Sequence, residues 1–88
     1  MNKINKIEKN TGVYLIEAVS GSSYIIDFDN LIFRRNPNDE SDWYGDLQRN
    51  IVKKISDFKE CVAGGSLNII LNQDDDFRLP VRKIIAIS

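Results

Sequence analysis

The chain has 88 residues and a mass of 10.1 kDa, enough for one domain and not for two. With 42% apolar and 28% charged residues it can close a core, so it is neither a disordered tail nor a collagen-like or membrane chain. Twelve Lys and Arg against thirteen Asp and Glu leave a net charge of −1, without the basic excess that phosphate backbones select, and the absence of His excludes His triads, His proton shuttles and His metal sites.

The first stretch, residues 1–11, reads as an N-terminal arm or a short helix laid on the core. Ile4 and Ile7 stand three apart, enough for one amphipathic turn only. Met1–Asn10 lacks the apolar core of a signal peptide, and no apolar run approaches the ~20 residues of a membrane span. Residues 12–88 read as a single small β domain.

From Gly12 the pattern becomes β. Val13–Val19 is rich in β-branched and aromatic residues, and Ser20-Gly21-Ser22 supplies turn chemistry. Ser23–Asp29 alternates, with Tyr24, Ile26 and Phe28 on one face and Ile25, Asp27 and Asp29 on the other. That is a hairpin. Asp29-Asn30 turns the chain again, and Leu31–Arg35 makes a third strand with Arg34 on the face opposite Phe33. Asn36–Asp42 is a loop, since Pro37, two Asn and the acids resist a ladder.

The middle is open to two readings. Leu47, Ile51, Ile55, Phe58 and Val62 step by four, four, three and four, which is a helical stripe over about 46–63 with Asp46 and Gly64-Gly65 as caps. The other reading is a strand over Ile51–Phe58, then a connection through Ser66. Leu67–Leu71 is a strand, Asn72–Arg78 an acidic turn, Pro80 the start of a last strand, and Val81–Ile87 its body, paired with Leu67–Leu71. Ile25, Ile32, Ile70 and Ile84 fall off the expected core faces and need cover.

Candidate chemistry is sparse. Cys61, a lone thiol with no His, is a small buried hydrophobe and fits a reducing cytoplasm. Asp27 and Asp29, about 7 Å apart on one strand face, read as solvated carboxylates rather than an acid–base pair. Asp74-Asp75-Asp76 lacks the Gly and distal Glu of a calcium loop. The expectation is no enzyme, no metal and no cofactor. The binding candidates are Trp43 and Tyr44, large aromatics in a loop, and Arg34, Arg49, Lys53 and Lys54 as a basic patch.

Several pieces recur in one order: Ser20-Gly21-Ser22, Tyr24 with Asp27, Arg34-Arg35, Val62 with Gly64 ahead of Leu67, and Pro80-Val81 with Ile84. In this order, over roughly residues 12–87, the chain resembles a family of short proteins encoded by bacteriophages and other bacterial mobile elements. The acidic Asn36–Asp42 loop and the short closing loop depart from that pattern. The resemblance implies a phage or mobile-element accessory protein and tips the middle segment toward β. The fold expected is mainly β, a small SH3-like barrel or rolled antiparallel sheet of five to six strands, with α+β and a helix at about 46–63 as the alternative.

With that origin, the leading expectation is an inhibitor acting in the host cytoplasm. It would bind a host immune protein or hold an immune signalling nucleotide, the latter as a homo-oligomer whose pocket lies between subunits. An SH3-like nucleic-acid or regulatory binder and a virion structural accessory are the alternatives. The net charge of −1 counts against nucleic acid.

Overall fold

The computed structural model describes residues 2–36 and 52–87. Among the described residues there is no helix. There are seven strands: β1 Asn2–Ile4, β2 Val13–Ala18, β3 Ser23–Asp27, β4 Ile32–Arg35, β5 Val52–Cys61, β6 Ser66–Leu71 and β7 Asp75–Ala86. All pairs are antiparallel, in the order β1-β7-β2-β3-β4-β5-β6, and β6 returns to β7. Six strands therefore close a small barrel of the SH3-like kind, with β1 as an added strand.

β7 makes the closure. Its first half pairs with β6, from Leu71↔Asp75 to Ser66↔Pro80, and its second half pairs with β2, from Ala18↔Val81 to Tyr14↔Ala86. Pro80 sits at the handover between the two partners, where its missing N–H costs least. The acids at 75 and 76 thus belong to a strand, and only 72–74 turn. Asn72 and Gln73 take up positive φ there (50° and 80°), and the Oδ1 of Asn72 accepts the N–H of Lys54 at 3.1 Å. Leu67–Leu71 consequently pairs with the first half of β7 and not with Val81–Ile87.

The expected hairpin forms as β2–β3, turning through Gly21 at φ 98°. Tyr24, Ile26 and Phe28 face inward as their alternation predicts, and all three are buried. Ser22 is buried in the same turn, and its Oγ has no hydrogen-bond partner among the described residues. Ser22→Ala should therefore be neutral or stabilise by up to about 1 kcal/mol, since it removes an unmet polar group. Thermal melting of the two proteins checks it.

In the middle and at the start of the chain the structure takes the extended one of the two readings that the residues left open. The described part of the 46–63 segment is strand β5, not helix. Its register with β6 shifts between Ile55 and Asp57 and again between Phe58 and Glu60. Each bulge adds a residue, so the inward side chains Ile55, Phe58 and Cys61 recur every three residues and imitate a helical stripe. At the start, Asn2–Ile4 is a strand along β7, with Ile4 opposite Ile84. The chain then runs on along the end of β5, where the N–H of Ile7 reaches the carbonyl of Cys61 at 3.0 Å, and Ile7 closes that end of the core.

The interior is lined with apolar side chains. Ile16, Ile26, Phe33, Leu67, Ile69, Leu71 and Ile84 are fully buried. Ile84 is a core residue, contrary to its expected face. A register shift opposite Glu17–Ala18 adds Arg82 to β7, so Val81 and Ile84, three apart, both turn inward. Aromatic clusters stand at both ends of the barrel. At one, Tyr24 stacks on Phe33 (5.5 Å), and Phe77 meets both at 5.9 and 5.1 Å. At the other, Phe28 meets Tyr14 and Phe58 edge-on.

Candidate functional site

The chain leaves the described residues after Asn36 and re-enters at Val52, both at the end of the barrel that holds Tyr24, Phe33 and Phe77. Trp43, Tyr44 and Arg49, three of the binding candidates, lie outside the described residues. The other three are split. Lys53 stands opposite Phe33 and so points inward, at the mouth of the barrel, whereas Arg34 and Lys54 are on the outer face. Period-2 alternation separates Lys53 from Lys54, so they do not share one patch.

The mouth holds charges that sequence reading left out of the site. Arg35 stands opposite Tyr24 on the inner face and is only 2% exposed. Lys53 Nζ meets Asp75 Oδ2 at 2.8 Å, with the two side chains 20% and 44% exposed. A recess of about 390 Å³ opens here, lined by Lys53, Asp75, Asp76, Phe77 and Arg78. Lys53 and Asp75 stand on the inner side, Asp76 and Arg78 on the outer side of β7 with the buried Phe77 between them, so the recess is a charged rim of both signs and not an aromatic slot. An anion alone would have to displace Asp75 from Lys53. The signal for Arg35 was present in the sequence: Phe33 faces the core, so Arg35 two residues on shares its face. Asp75 and Arg78 carried no such signal, because their acidic neighbourhood resembles a turn.

A second recess, of about 400 Å³, lies at the other end between the Lys6–Asn10 segment and Phe58–Glu60. Its rim alternates in sign, Lys6 and Lys59 against Glu8 and Glu60, and only Ile7 and Phe58 offer apolar surface there.

The carboxylate candidates are occupied with holding turns. Asp29 leaves the strand and its Oδ1 accepts the N–H of Gly12 at 3.2 Å. Asp27 accepts from the backbone N–H of Asn30 at 3.0 Å and from its side-chain amide at 2.8 Å. These bonds from Asn30, the side-chain amide foremost, hold the Asp27 carboxyl below the usual carboxylate range. A depressed native pKa gives stability that is present above the unfolded value of ~4 and fades as pH falls through the native pKa. Asp27→Asn should hence lower stability at neutral pH, and the gap to wild type should close in acid. Urea unfolding at neutral pH and below pH ~3 checks both signs.

Asp74, Asp75 and Asp76 do not converge: Asp74 is in the turn, Asp75 faces Lys53 and Asp76 faces out, opposite Ile70. Among the described residues no group of three or more Cys, Asp or Glu is placed to hold a metal ion. Cys61 is fully buried, and burial, with a smaller push from Glu60, raises its thiol to about 12. Among the described residues no helix is long and apolar enough to cross a membrane. No protein-family model, no curated protein and no solved structure matches this chain.

Proposed function

We propose that this protein is a non-catalytic binding module, a phage or mobile-element accessory that counters host antiviral immunity from the host cytoplasm. It holds a host immune protein, or an immune signalling nucleotide when self-associated, and starves the response of that component. The observation that carries the reading is where the chemistry lies. The interior is packed with apolar side chains, the one thiol is sealed inside it, and the charged groups stand at the barrel mouth and on the outer face. The resemblance over residues 12–87 supplies the setting.

Bacteria that carry an antiviral immune system and express this protein should again be killed by a phage that the system normally stops. Trp43→Ala should weaken capture of the target by about tenfold while the barrel stays folded, as expected for an aromatic anchor. Failure to restore infection against any of a panel of immune systems would sink the reading. Arg34 and Lys54 share the outer face, which favours the nucleic-acid alternative. A salt-sensitive shift of DNA or RNA in a gel would select it.

A further inference from the structure

One outer row of the barrel is mainly apolar, with Leu15, Ile25 and Ile85 half-buried and Val52 exposed. The strand registers line up Ile85↔Leu15, Leu15↔Ile25, Ile25↔Arg34 and Arg34↔Val52, a single row across β7, β2, β3, β4 and β5. Directly opposed side chains of neighbouring strands are about 5 Å apart, so the row is continuous. It is bounded on one flank by Lys83, Glu17 and Ser23, with Glu17 paired to Arg82. Along the other flank run Val13, Asp27, Ile32 and Lys54. A mainly apolar row with charged groups at its centre and along its flanks is the pattern of a protein contact.

Four residues at its centre form a block. On β3 stand Ile25 and Asp27; opposite them on β4 stand Arg34 and Ile32. One diagonal is Ile25–Ile32 and the other is Arg34–Asp27. Arg34 makes no ion pair among the described residues, and its Nε is covered and without a hydrogen bond. Asp27 accepts two bonds from Asn30, which leaves lone pairs for a guanidinium. Within one barrel the two charges lie across the diagonal, roughly 7–8 Å apart at the backbone.

We propose that this face docks a second copy of the chain, about a two-fold axis running along the Ile25–Ile32 diagonal. Reflection across that line sets Ile25 and Ile32 against their own counterparts. It brings Arg34 of each copy onto Asp27 of the other, so both charges that are unmatched in one barrel are paired in two. Such self-complementarity is what an isologous interface requires. The size also fits. The barrel measures 30 × 28 × 21 Å, so one whole side is of the order of the ~800 Å² per partner that a standard interface buries. This inference deepens the oligomeric form of the function above, yet it stands on the face alone. Restored infection reads the function, and sedimentation reads the dimer.

The test uses two charge variants of the full chain, Arg34→Asp and Asp27→Arg. Each alone places like charges across the axis twice. Mixed together, they place opposite charges across it twice. Sedimentation velocity over a concentration series should show a dimer for the wild type and a dimer at least about tenfold weaker for each variant alone. An equimolar mixture of the two should return to wild-type affinity as a heterodimer. Ile25→Ser keeps both charges and should also weaken the dimer, which covers the case of a charge variant that loses its β circular-dichroism spectrum. A wild type that stays monomeric to millimolar concentration overturns the proposal. So does a larger ring, variants that dimerise like wild type, or a mixture that fails to recover.

Discussion

Phe33→Ala is expected to cost about 3–5 kcal/mol, enough to leave a large share of the chains unfolded. A domain of this length holds only about 4–13 kcal/mol in all. Phe33 is fully buried on β4, stacked on Tyr24 and tilted against Phe77 at 5.5 and 5.1 Å. Its neighbours cannot collapse into the space, because they belong to β3 and β7, which are fixed by ladders on both sides. The loss therefore combines the lost transfer of the ring from water with the cavity it leaves. Phe33→Leu, which keeps much of the volume, should cost clearly less. Urea unfolding should show the midpoint of the alanine variant moved far down with an unchanged slope. A shift no larger than that of an exposed-site variant such as Val52→Ala would mean that this end of the barrel is open.

Cys61 should be almost inert in the folded protein. Its side chain is fully buried near the end of β5, opposite Leu67, and desolvation raises the thiol from an ordinary value of 9.0 to about 12. The thiolate is the reactive form, so a thiol this hard to ionise holds about a thousandfold less of it at neutral pH, before access is counted. A thiol reagent should label the native protein at least about a thousandfold more slowly than the protein in urea. Because labelling then needs opening, its rate also reports the barrel's stability. Rapid labelling of a protein that is otherwise folded would place Cys61 outside the core. Catalytic thiols have depressed pKa values, not raised ones, which is one reason the proposed function contains no covalent step.

Strands β2 and β3 were legible because one face of each is buried. Tyr24, Ile26 and Phe28 alternate cleanly, and Ser20-Gly21-Ser22 allows the positive φ that the turn uses at Gly21. Where the ladder is irregular, the pattern misled. In β5 the bulges space Ile55, Phe58 and Cys61 three apart, so period-2 structure looks helical. In β7 the shift at Arg82 reverses the parity of Ile84, and the acids of Asp75 and Asp76 conceal a strand that begins five residues before Pro80. Bulges leave no mark in composition, only in pairing. The site was half legible for the same reason. Strand alternation foretells that Arg34 points out, whereas the meeting of Lys53 with Asp75 needs β5 and β7 to be brought together by closure. The apolar row of Leu15, Ile25 and Ile85 likewise spans strands far apart in the chain, although Ile25 and Ile32 already stood out as apolar side chains on an outer face.

The most direct test of binding without chemistry is a titration. Lysate of bacteria carrying an immune system that the proposed function makes the target is mixed with increasing amounts of pure protein, and the remaining immune activity is followed with time. A binding module predicts loss in proportion to protein added, reaching zero at a fixed ratio to the target and unchanged on longer incubation. A trace of protein that silences all of the activity given time would show turnover, and would contradict the account.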